Sequence, residues 1–234
     1  MINKTFNYFQ QTILKLYLPS IIKLVKSKSL TYLDDKALYD LFKQVKIIEN
    51  KNKDGILIEA GCALGGSAVV ITVAKSRERP LFVYDVFEMI PPPSEKDDMD
   101  VKKRYEVIKT GKSQGIAGNK YYGYEENLIA KVRENFDQCG VPIEENNVHL
   151  IQGLFQDTLQ VNQPVALAHI DGDWYESVMT CLQQIEPHLI EKGVLIIDDY
   201  YSWSGCRKAV DEYFKDKQNM YKFVKKSRLH IVRK

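Results

Sequence analysis

The chain has 234 residues, which suits one α/β domain with an appendage. Its net charge of +2, with 44% hydrophobic and 27% charged residues, gives no electrostatic reason to expect nucleic acid or an anionic membrane as the main partner. Four scattered cysteines without a CxxC pair favour free thiols in a reducing, cytoplasmic compartment, and no apolar run is long enough to predict a membrane span.

Apolar residues recur at helical spacing in the first fifty residues. One stripe consists of Ile2, Phe6, Phe9, Ile13 and Leu16; a second follows Pro19, and Asp34 or Asp35 caps a third helix. The first stripe lacks a small-residue cleavage site, so it predicts an amphipathic helix and not a signal peptide. We expect residues 1–50 to form a helical cap that packs on the domain or on a second copy in a homodimer, with a membrane surface as the open alternative.

Strand and helix patterns alternate from residue 51 onwards. Short buried strands are predicted at 56–59, 81–85, 148–152, 165–170 and 194–197. One of the intervening stripes, from Val178 to Leu189, predicts a helix that ends near Gly193. Such alternation implies right-handed βαβ units in a parallel sheet covered on both faces. Two further runs, 221–224 and 229–232, predict an antiparallel hairpin at the end of the domain.

A long segment, about 91–127, interrupts this alternation directly after the second strand. It contains three consecutive prolines, an acidic run, four glycines and several tyrosines, and 101–108 has a helical pattern. Inserted loops of this length are commonly lids or disordered segments, and the tyrosines argue against pure disorder. We expect a lid, mobile over about 94–124.

The stretch "ILIEAGCALGGS" (56–67) places three glycines after the first strand and before a helix. The loop therefore lies at the carboxyl edge of the sheet, where such folds bind ligands. Its spacing differs from the GxGxxG of dinucleotide sites, which weakens a pyrophosphate interpretation. The surplus of glycine suggests a group that closely approaches the backbone, although a tight turn is the plainer alternative.

Asp85 ends the second strand beside this loop. A carboxylate at that position can accept two hydrogen bonds from the hydroxyls of a ribose. A nucleoside without a pyrophosphate, lying over small residues, indicates S-adenosylmethionine (SAM). The alternative is that Asp85 merely caps a helix or stands in a loop.

Acidic residues also follow the fourth and fifth strands. Asp171 comes after the fourth, and Asp198 and Asp199 come after the fifth. If these strands are neighbours, three carboxylates converge on one patch and repel one another unless a hard cation neutralises them. Oxygen ligands suit Mg²⁺, or Ca²⁺ and Mn²⁺. The alternative for one or two of these acids is helix capping.

The chain resembles the macrocin O-methyltransferase (TylF) family of class I, metal-dependent SAM methyltransferases. The motifs that carry the resemblance are "IEAGCALGGS" (58–67), "VYDVFEMIPPP" (83–93), "GLFQDTL" (153–159), "HIDGDWYES" (169–177) and "LIIDDYYSWSGCRKAVDEYF" (195–214). The resemblance implies a Rossmann-like fold over residues 51–234, with a mostly parallel seven-stranded sheet, helices on both faces and a C-terminal antiparallel hairpin.

The resemblance also implies site residues. The cofactor-binding set is Thr31 for the SAM carboxylate, Glu59, Ala60, Gly61, Cys62, Ala63 and Ser67 for the methionine and ribose, Asp85 for the ribose hydroxyls, Phe155 and Gln156 for the adenine, and Asp171 beside them. The metal ligands would be Asp171, Asp198 and Asp199. Departures from the family are Ala63-Leu64 in place of a bulkier pair, a longer lid, and Trp174 where catechol-type relatives carry a lysine base.

With that lysine missing, we predict Asp171 as the catalytic base, ahead of Asp173 and His169. An apolar acceptor pocket would be built from Tyr121, Tyr122, Tyr124, Trp174, Tyr200, Tyr201 and Trp203. The predicted reaction is Mg²⁺-dependent methylation of a small-molecule hydroxyl, namely a sugar hydroxyl of a glycosylated natural product. A phenol or catechol acceptor is the alternative, and a SAM-binding protein without turnover is a further one.

Overall fold

The computed structural model describes residues 18–234, so the first predicted stripe, Ile2 to Leu16, lies outside the described residues. The helices are α1 (Ser20–Ser27), α2 (Asp35–Asn50), α3 (Gly66–Ala74), α4 (Met99–Lys109), α5 (Leu128–Gln138), α6 (Phe155–Thr158), α7 (Tyr175–Ile185) and α8 (Ser204–Tyr213). The strands are β1 (Ile56–Ala60), β2 (Leu81–Asp85), β3 (Val148–Gln152), β4 (Val165–Ile170), β5 (Leu189–Ile197), β6 (Tyr221–Lys225) and β7 (Leu229–Arg233).

The strands form one seven-stranded sheet in the order β3-β2-β1-β4-β5-β7-β6. The first five strands are parallel, and β7 pairs antiparallel with both β5 and β6. This arrangement confirms the predicted parallel sheet with its C-terminal hairpin. The register pairs Ala60 with Ile170 and Ile170 with Ile197, so β1, β4 and β5 end side by side. The loops that follow these strands therefore share one edge of the sheet.

Apolar side chains fill both faces of the sheet, as a doubly covered parallel sheet requires. On one face, α1, α2, α3 and α5 pack in a single cluster that contains Leu38, Val69 and Phe136. On the other face, α7 and α8 pack in a second cluster that contains Val178 and Phe214. The two N-terminal helices α1 and α2 therefore share a core with the helices of the sheet. Asp34 caps α2, as predicted, by accepting a hydrogen bond from the backbone N–H of Ala37.

The predicted helix that reaches toward Gly193 was wrong. Helix α7 stops at Ile185, a 3₁₀ turn with Pro187 follows, and β5 begins at Leu189. Proline removes a backbone donor and obstructs the preceding turn, so the helix ends there even though the apolar spacing continues. Leu189 is instead the β-sheet partner of Val165.

The segment 91–127 contains α4 and two short 3₁₀ turns. Three of its apolar side chains, Val101, Ile108 and Tyr121, pack with Ile90 and Trp174 in a third hydrophobic cluster. Carboxylates fasten the start of the segment to the domain. Asp97 accepts a hydrogen bond from the N–H of Tyr175 (2.9 Å), and Asp100 accepts one from the N–H of Ser204 (3.0 Å).

Within residues 18–234, none of the helices combines the length and the apolar character needed to cross a membrane.

Candidate active site

The glycine loop after β1 is shaped by the protein's own backbone. Gly61 has φ +90°, and a Cβ there would collide with the carbonyl oxygen of Asp171 on the neighbouring strand end. At Gly66, a Cβ would collide with the carbonyl of Leu30, which also accepts a hydrogen bond from the Gly66 N–H. The close approach inferred from the glycine surplus is real, and at both positions the approaching group is main chain of this protein.

Asp85 holds the loop from the next strand. Its Oδ2 accepts hydrogen bonds from the N–H groups of Cys62 (2.7 Å) and Ala63 (3.3 Å), and its Oδ1 accepts one from Phe87 (2.7 Å). Burial raises the pKa of Asp85, while these three donors oppose the rise. A carboxylate has about four acceptor positions, so Asp85 retains capacity for a donor that enters from the cavity.

A cavity of about 350 Å³ lies over the carboxyl ends of the strands. Seven of the predicted cofactor residues line it: Gly61, Cys62, Ala63, Asp85, Phe155, Gln156 and Asp171. Four lie behind its wall: Thr31, Glu59, Ala60 and Ser67. Thr31 is buried against Gly66 and accepts a hydrogen bond from the Leu33 N–H, while its neighbour Tyr32 reaches the cavity.

Glu59, next to the last residue of β1, is a buried acid whose carboxylate has partners within the protein. Its carboxylate is fully buried, accepts a hydrogen bond from the hydroxyl of Ser67, and lies 3.0 Å from Nδ1 of His169. Nε2 of His169 is 3.5 Å from Oδ1 of Asp198. Burial lowers the pKa of His169, but the carboxylates of Glu59 and Asp198 outweigh it and raise the pKa to about 10. His169 is therefore protonated at neutral pH and links β1 to the end of β5. A protonated histidine cannot accept a proton, which argues against His169 as the base.

Three carboxylates meet at the ends of β4 and β5. Oxygen atoms of Asp171, Asp173 and Asp199 all lie within 4.8 Å of one another. From the sequence we predicted Asp198, together with Asp171 and Asp199, at this position. Asp173 is the third member of the observed cluster, and Asp198 accepts a hydrogen bond from the guanidinium of Arg228 (2.6 Å). Asp198 also lines the cavity, so it stays near the cluster.

The cluster has the chemistry of a site for a hard cation. Burial and the charges of neighbouring aspartates raise the pKa values of Asp171 and Asp173, and the same causes raise that of Asp199 to about 6. Oδ2 of Asp199 is buried, and nothing in residues 18–234 hydrogen-bonds to it. An oxygen without a partner among crowded carboxylates fits a divalent cation with oxygen ligands.

Aromatic side chains form part of the cavity lining. Of those predicted for an acceptor pocket, Tyr121, Tyr122, Trp174 and Trp203 line it. Tyr124 packs behind Tyr121, and Tyr200 and Tyr201 line a separate shallow depression next to Phe223. The sequence analysis missed Tyr32, Arg104 and Arg228, which also line the cavity. Arg228 lies in the turn between β6 and β7, where no motif signals a site.

Comparisons with known proteins agree with this architecture. The family model described as macrocin-O-methyltransferase (TylF) matches residues 26–226. The solved structure of the O-methyltransferase NovP superimposes with a TM-score of 0.75 and 24% identity, covering 94% of this chain and 98% of that one. The fold is therefore that of the class I methyltransferases, as predicted.

Two curated relatives are similar in sequence. Demethyldecarbamoylnovobiocin O-methyltransferase from Streptomyces niveus is 27% identical over 78% of this chain and 67% of its own length. The 8-demethyl-8-(2,3-dimethoxy-alpha-L-rhamnosyl)-tetracenomycin-C 4'-O-methyltransferase from Streptomyces olivaceus is 29% identical over 71% of this chain and 61% of its own length. The chain thus spans about two thirds of the length of these relatives.

Proposed function

Because the chain belongs to the macrocin O-methyltransferase (TylF) family, we propose that it transfers the methyl group of SAM to a hydroxyl group of a glycosylated small molecule, with Mg²⁺ at the aspartate cluster. The observation that carries the proposal is a single cavity that contains both the loop held by Asp85 and the three carboxylates. The names of both curated relatives specify methylation of natural products, and one specifies a rhamnosyl group.

The inner half of the cavity suits a nucleoside. Asp85 would accept hydrogen bonds from the ribose hydroxyls, and the small residues Gly61, Cys62 and Ala63 leave room beside it. Phe155 and Gln156 follow β3 on the same side of the cavity and would flank the adenine. These residues would hold the methyl donor in the cavity that also contains the carboxylate cluster. Fixing two reactants in line is a large part of the rate in such a displacement.

We propose Asp171, Asp198 and Asp199 as the metal ligands, with Asp173 as the competitor of Asp198 for the third position. When bound, the cation would lower the pKa of an acceptor hydroxyl and stabilise its developing negative charge. Oδ1 of Asp198 lies 2.6 Å from Nε of Arg228 and 3.5 Å from Nε2 of His169, so both side chains help to position this carboxylate.

A hydroxyl acceptor must also lose its proton. We propose Asp171 as the base that takes it, with Asp173 as the second candidate, since both carboxylates face the cavity. Within residues 18–234, no histidine or lysine side chain hydrogen-bonds to Asp171 or Asp173, so no such side chain is placed to act as the base instead. His169 contacts Glu59 and Asp198. The walls formed by Trp174, Trp203 and Tyr121 would exclude water and contact the ring of the acceptor.

One experiment tests the need for a metal and the class of acceptor. Purified protein is incubated with SAM and a panel of glycosylated and phenolic acceptors, and products are identified by mass spectrometry. EDTA should abolish methyl transfer and Mg²⁺ should restore it, while SAM binding by calorimetry survives EDTA. Methylation of phenols alone would favour the alternative acceptor class. SAM binding without any product would favour the non-catalytic alternative.

Variants then locate the base. Asp171→Asn should lower turnover by about 10²–10⁴-fold without rescue by excess Mg²⁺. Asp198→Asn should be partly rescued by excess Mg²⁺, because its role is to bind the metal. Rescue of Asp171→Asn by Mg²⁺ would assign the base to Asp173, which the Asp173→Asn variant would then test.

We also propose a homodimer formed through the N-terminal helices. The support is the apolar stripe in the first seventeen residues, and light scattering on the full chain tests it.

A further inference from the structure

Arg104, on the lid helix α4, is a basic side chain that lines the cavity without an acidic partner. Within residues 18–234, no carboxylate lies within ion-pair distance of its guanidinium. Its one recorded hydrogen bond is donated by Nη2 to the hydroxyl of Ser113 (2.9 Å). The guanidinium carbon is 5.7 Å from the centre of the Tyr121 ring, so this aromatic face supports the side chain.

The other basic residue of the cavity lining, Arg228, is paired with carboxylates. Its Nε donates to Asp198 and its Nη1 lies 3.6 Å from Asp34. Arg104 differs from Arg228 because its positive charge has no carboxylate partner within residues 18–234. A guanidinium offers five N–H groups in a planar fork that matches the two oxygens of a carboxylate or a phosphate.

Arg104 lies beside aromatic residues that we predict for the acceptor pocket. Its guanidinium is close to the Tyr121 ring, and Tyr121 packs in one cluster with Trp174 and Ile108. Asp171, Asp173 and Asp199 line the same cavity as Arg104, so the guanidinium and the carboxylate cluster border one space in which an acceptor would bind.

We infer that Arg104 is an anion-binding residue of the acceptor pocket, and that the acceptor carries a carboxylate or a phosphate group. This inference rests on the proposed function and deepens it by naming the substrate class. Because Arg104 belongs to the lid segment, an anionic acceptor would also draw α4 toward the cavity. A neutral acceptor could accept hydrogen bonds from this side chain but would lack the stronger, charge-assisted ones.

The protein contains its own probe for the test. Both tryptophans of the chain, Trp174 and Trp203, line the cavity and pack edge to face with ring centroids 5.8 Å apart. Their fluorescence therefore reports binding in this cavity without requiring turnover. Protein saturated with S-adenosylhomocysteine and excess Mg²⁺ is titrated with glucose, glucuronate and glucose 6-phosphate, which differ in charge at one carbon.

The wild-type protein should bind a charged sugar about 10- to 100-fold more tightly than glucose, the range for hydrogen bonds to a charged group. Comparison of glucuronate with glucose 6-phosphate identifies which anion is preferred. Arg104→Gln should remove the preference, and Arg104→Lys should retain part of it. The matched control is Lys103→Gln, which removes an exposed charge from the same helix.

A further variant separates the charge of Arg104 from its hydrogen bond. Ser113→Ala removes the hydrogen bond of Arg104 but keeps its charge, so the preference should persist even if the lid loosens. No preference in the wild-type protein, or a preference that survives Arg104→Gln, would overturn the inference. An Arg104→Gln change that weakens all three sugars equally would show that Arg104 only offsets Asp173, which also overturns it.

The methionine carboxylate of SAM is the other source of an anion. Calorimetry with S-adenosylhomocysteine and with 5′-deoxy-5′-methylthioadenosine, which lacks that carboxylate, distinguishes the two. Arg104→Gln should leave both affinities unchanged; a loss of about tenfold or more for S-adenosylhomocysteine alone would assign Arg104 to the cofactor and overturn the inference. Failure of the wild-type protein to bind either nucleoside would instead refute the proposed function, and the sugar titrations can be repeated without them.

Discussion

Asp85 is a buried residue with a structural role and a proposed role in binding. Its carboxylate fastens the glycine loop through Cys62 and Ala63 and also faces the cavity. Asp85→Asn should weaken SAM binding by about 1–3 kcal/mol, because it removes charge-assisted hydrogen bonds to the ribose. Calorimetry measures the loss, with Asp157→Asn on the exposed side of α6 as the matched control. Unchanged affinity in Asp85→Asn would remove this residue from the nucleoside site.

His230 on β7 is a buried histidine whose two ring nitrogens have no hydrogen-bond partner in the described residues. Burial lowers its pKa from 6.5 to about 4. The unfolded chain therefore takes up a proton below pH 6.5 that the folded protein refuses until about pH 4. Stability should fall over that interval as the pH decreases, by up to about 3 kcal/mol, and be unaffected by this group above it.

Denaturant unfolding at several pH values tests the role of His230. His230→Leu should be neutral or stabilising at pH 7, because it removes two unsatisfied polar atoms, and its stability should depend less on pH between 6.5 and 4. The same acid sensitivity in this variant and in the wild-type protein would assign the effect to other groups.

The segment 91–127 is fastened to the domain near its start and is exposed at its tip. Asp97 and Asp100 tie the region around the start of α4 to α7 and α8. The tip at 111–120 is mostly exposed. Its buried residue Ser113 is contacted by Arg104 and Tyr124, and the bridge between Gln114 and Lys120 is local to the tip. We therefore expect the predicted lid motion to be largest at this tip.

Hydrogen exchange followed by mass spectrometry checks this division. Exchange over 110–120 should be faster than over 94–100 in the free protein, and it should slow when S-adenosylhomocysteine and an acceptor are bound. Asp97→Asn should accelerate exchange over 94–100 by weakening the bond to the Tyr175 N–H, without a comparable effect at β1. Equally slow exchange across the whole segment in the ligand-free protein would mean that it is a fixed part of the fold.

At the scale of the whole molecule, the proposed cation site predicts that stability depends on metal binding. Three crowded carboxylates repel one another in the folded state, and their charges separate on unfolding. Mg²⁺ should therefore stabilise the protein, by about 3 kcal/mol at a hundredfold excess over its dissociation constant. Thermal unfolding in EDTA and in excess Mg²⁺ measures this difference.

Asp199→Asn provides the complementary result. It should raise the melting temperature in EDTA, because one repelling charge is gone, and it should abolish most of the stabilisation by Mg²⁺. Asp137→Asn on the exposed side of α5 should change neither quantity. A Mg²⁺-dependent shift of the same size in Asp199→Asn would place the cation elsewhere.

The sequence by itself determined the architecture and the edge of the sheet at which the site lies. Buried runs of strand length separated by helical stripes specify a parallel sheet, because both faces of each strand must be covered. Since parallel strands end at a common edge, the residues after β1, β2, β4 and β5 had to meet there. Asp85, Asp171 and Asp199 were identified from local pattern alone for this reason.

Only the tertiary structure decided which of these side chains face the cavity and which are held elsewhere. Asp173 joins Asp171 and Asp199 in the cluster, whereas Asp198 is bonded to Arg228, which comes from a turn distant in sequence. Glu59 is directed away from the cavity because His169 and Ser67 satisfy its buried charge. Arg104 joins the site only because α4 folds back over the sheet. Such choices depend on contacts between residues far apart in the chain, and no local spacing encodes them.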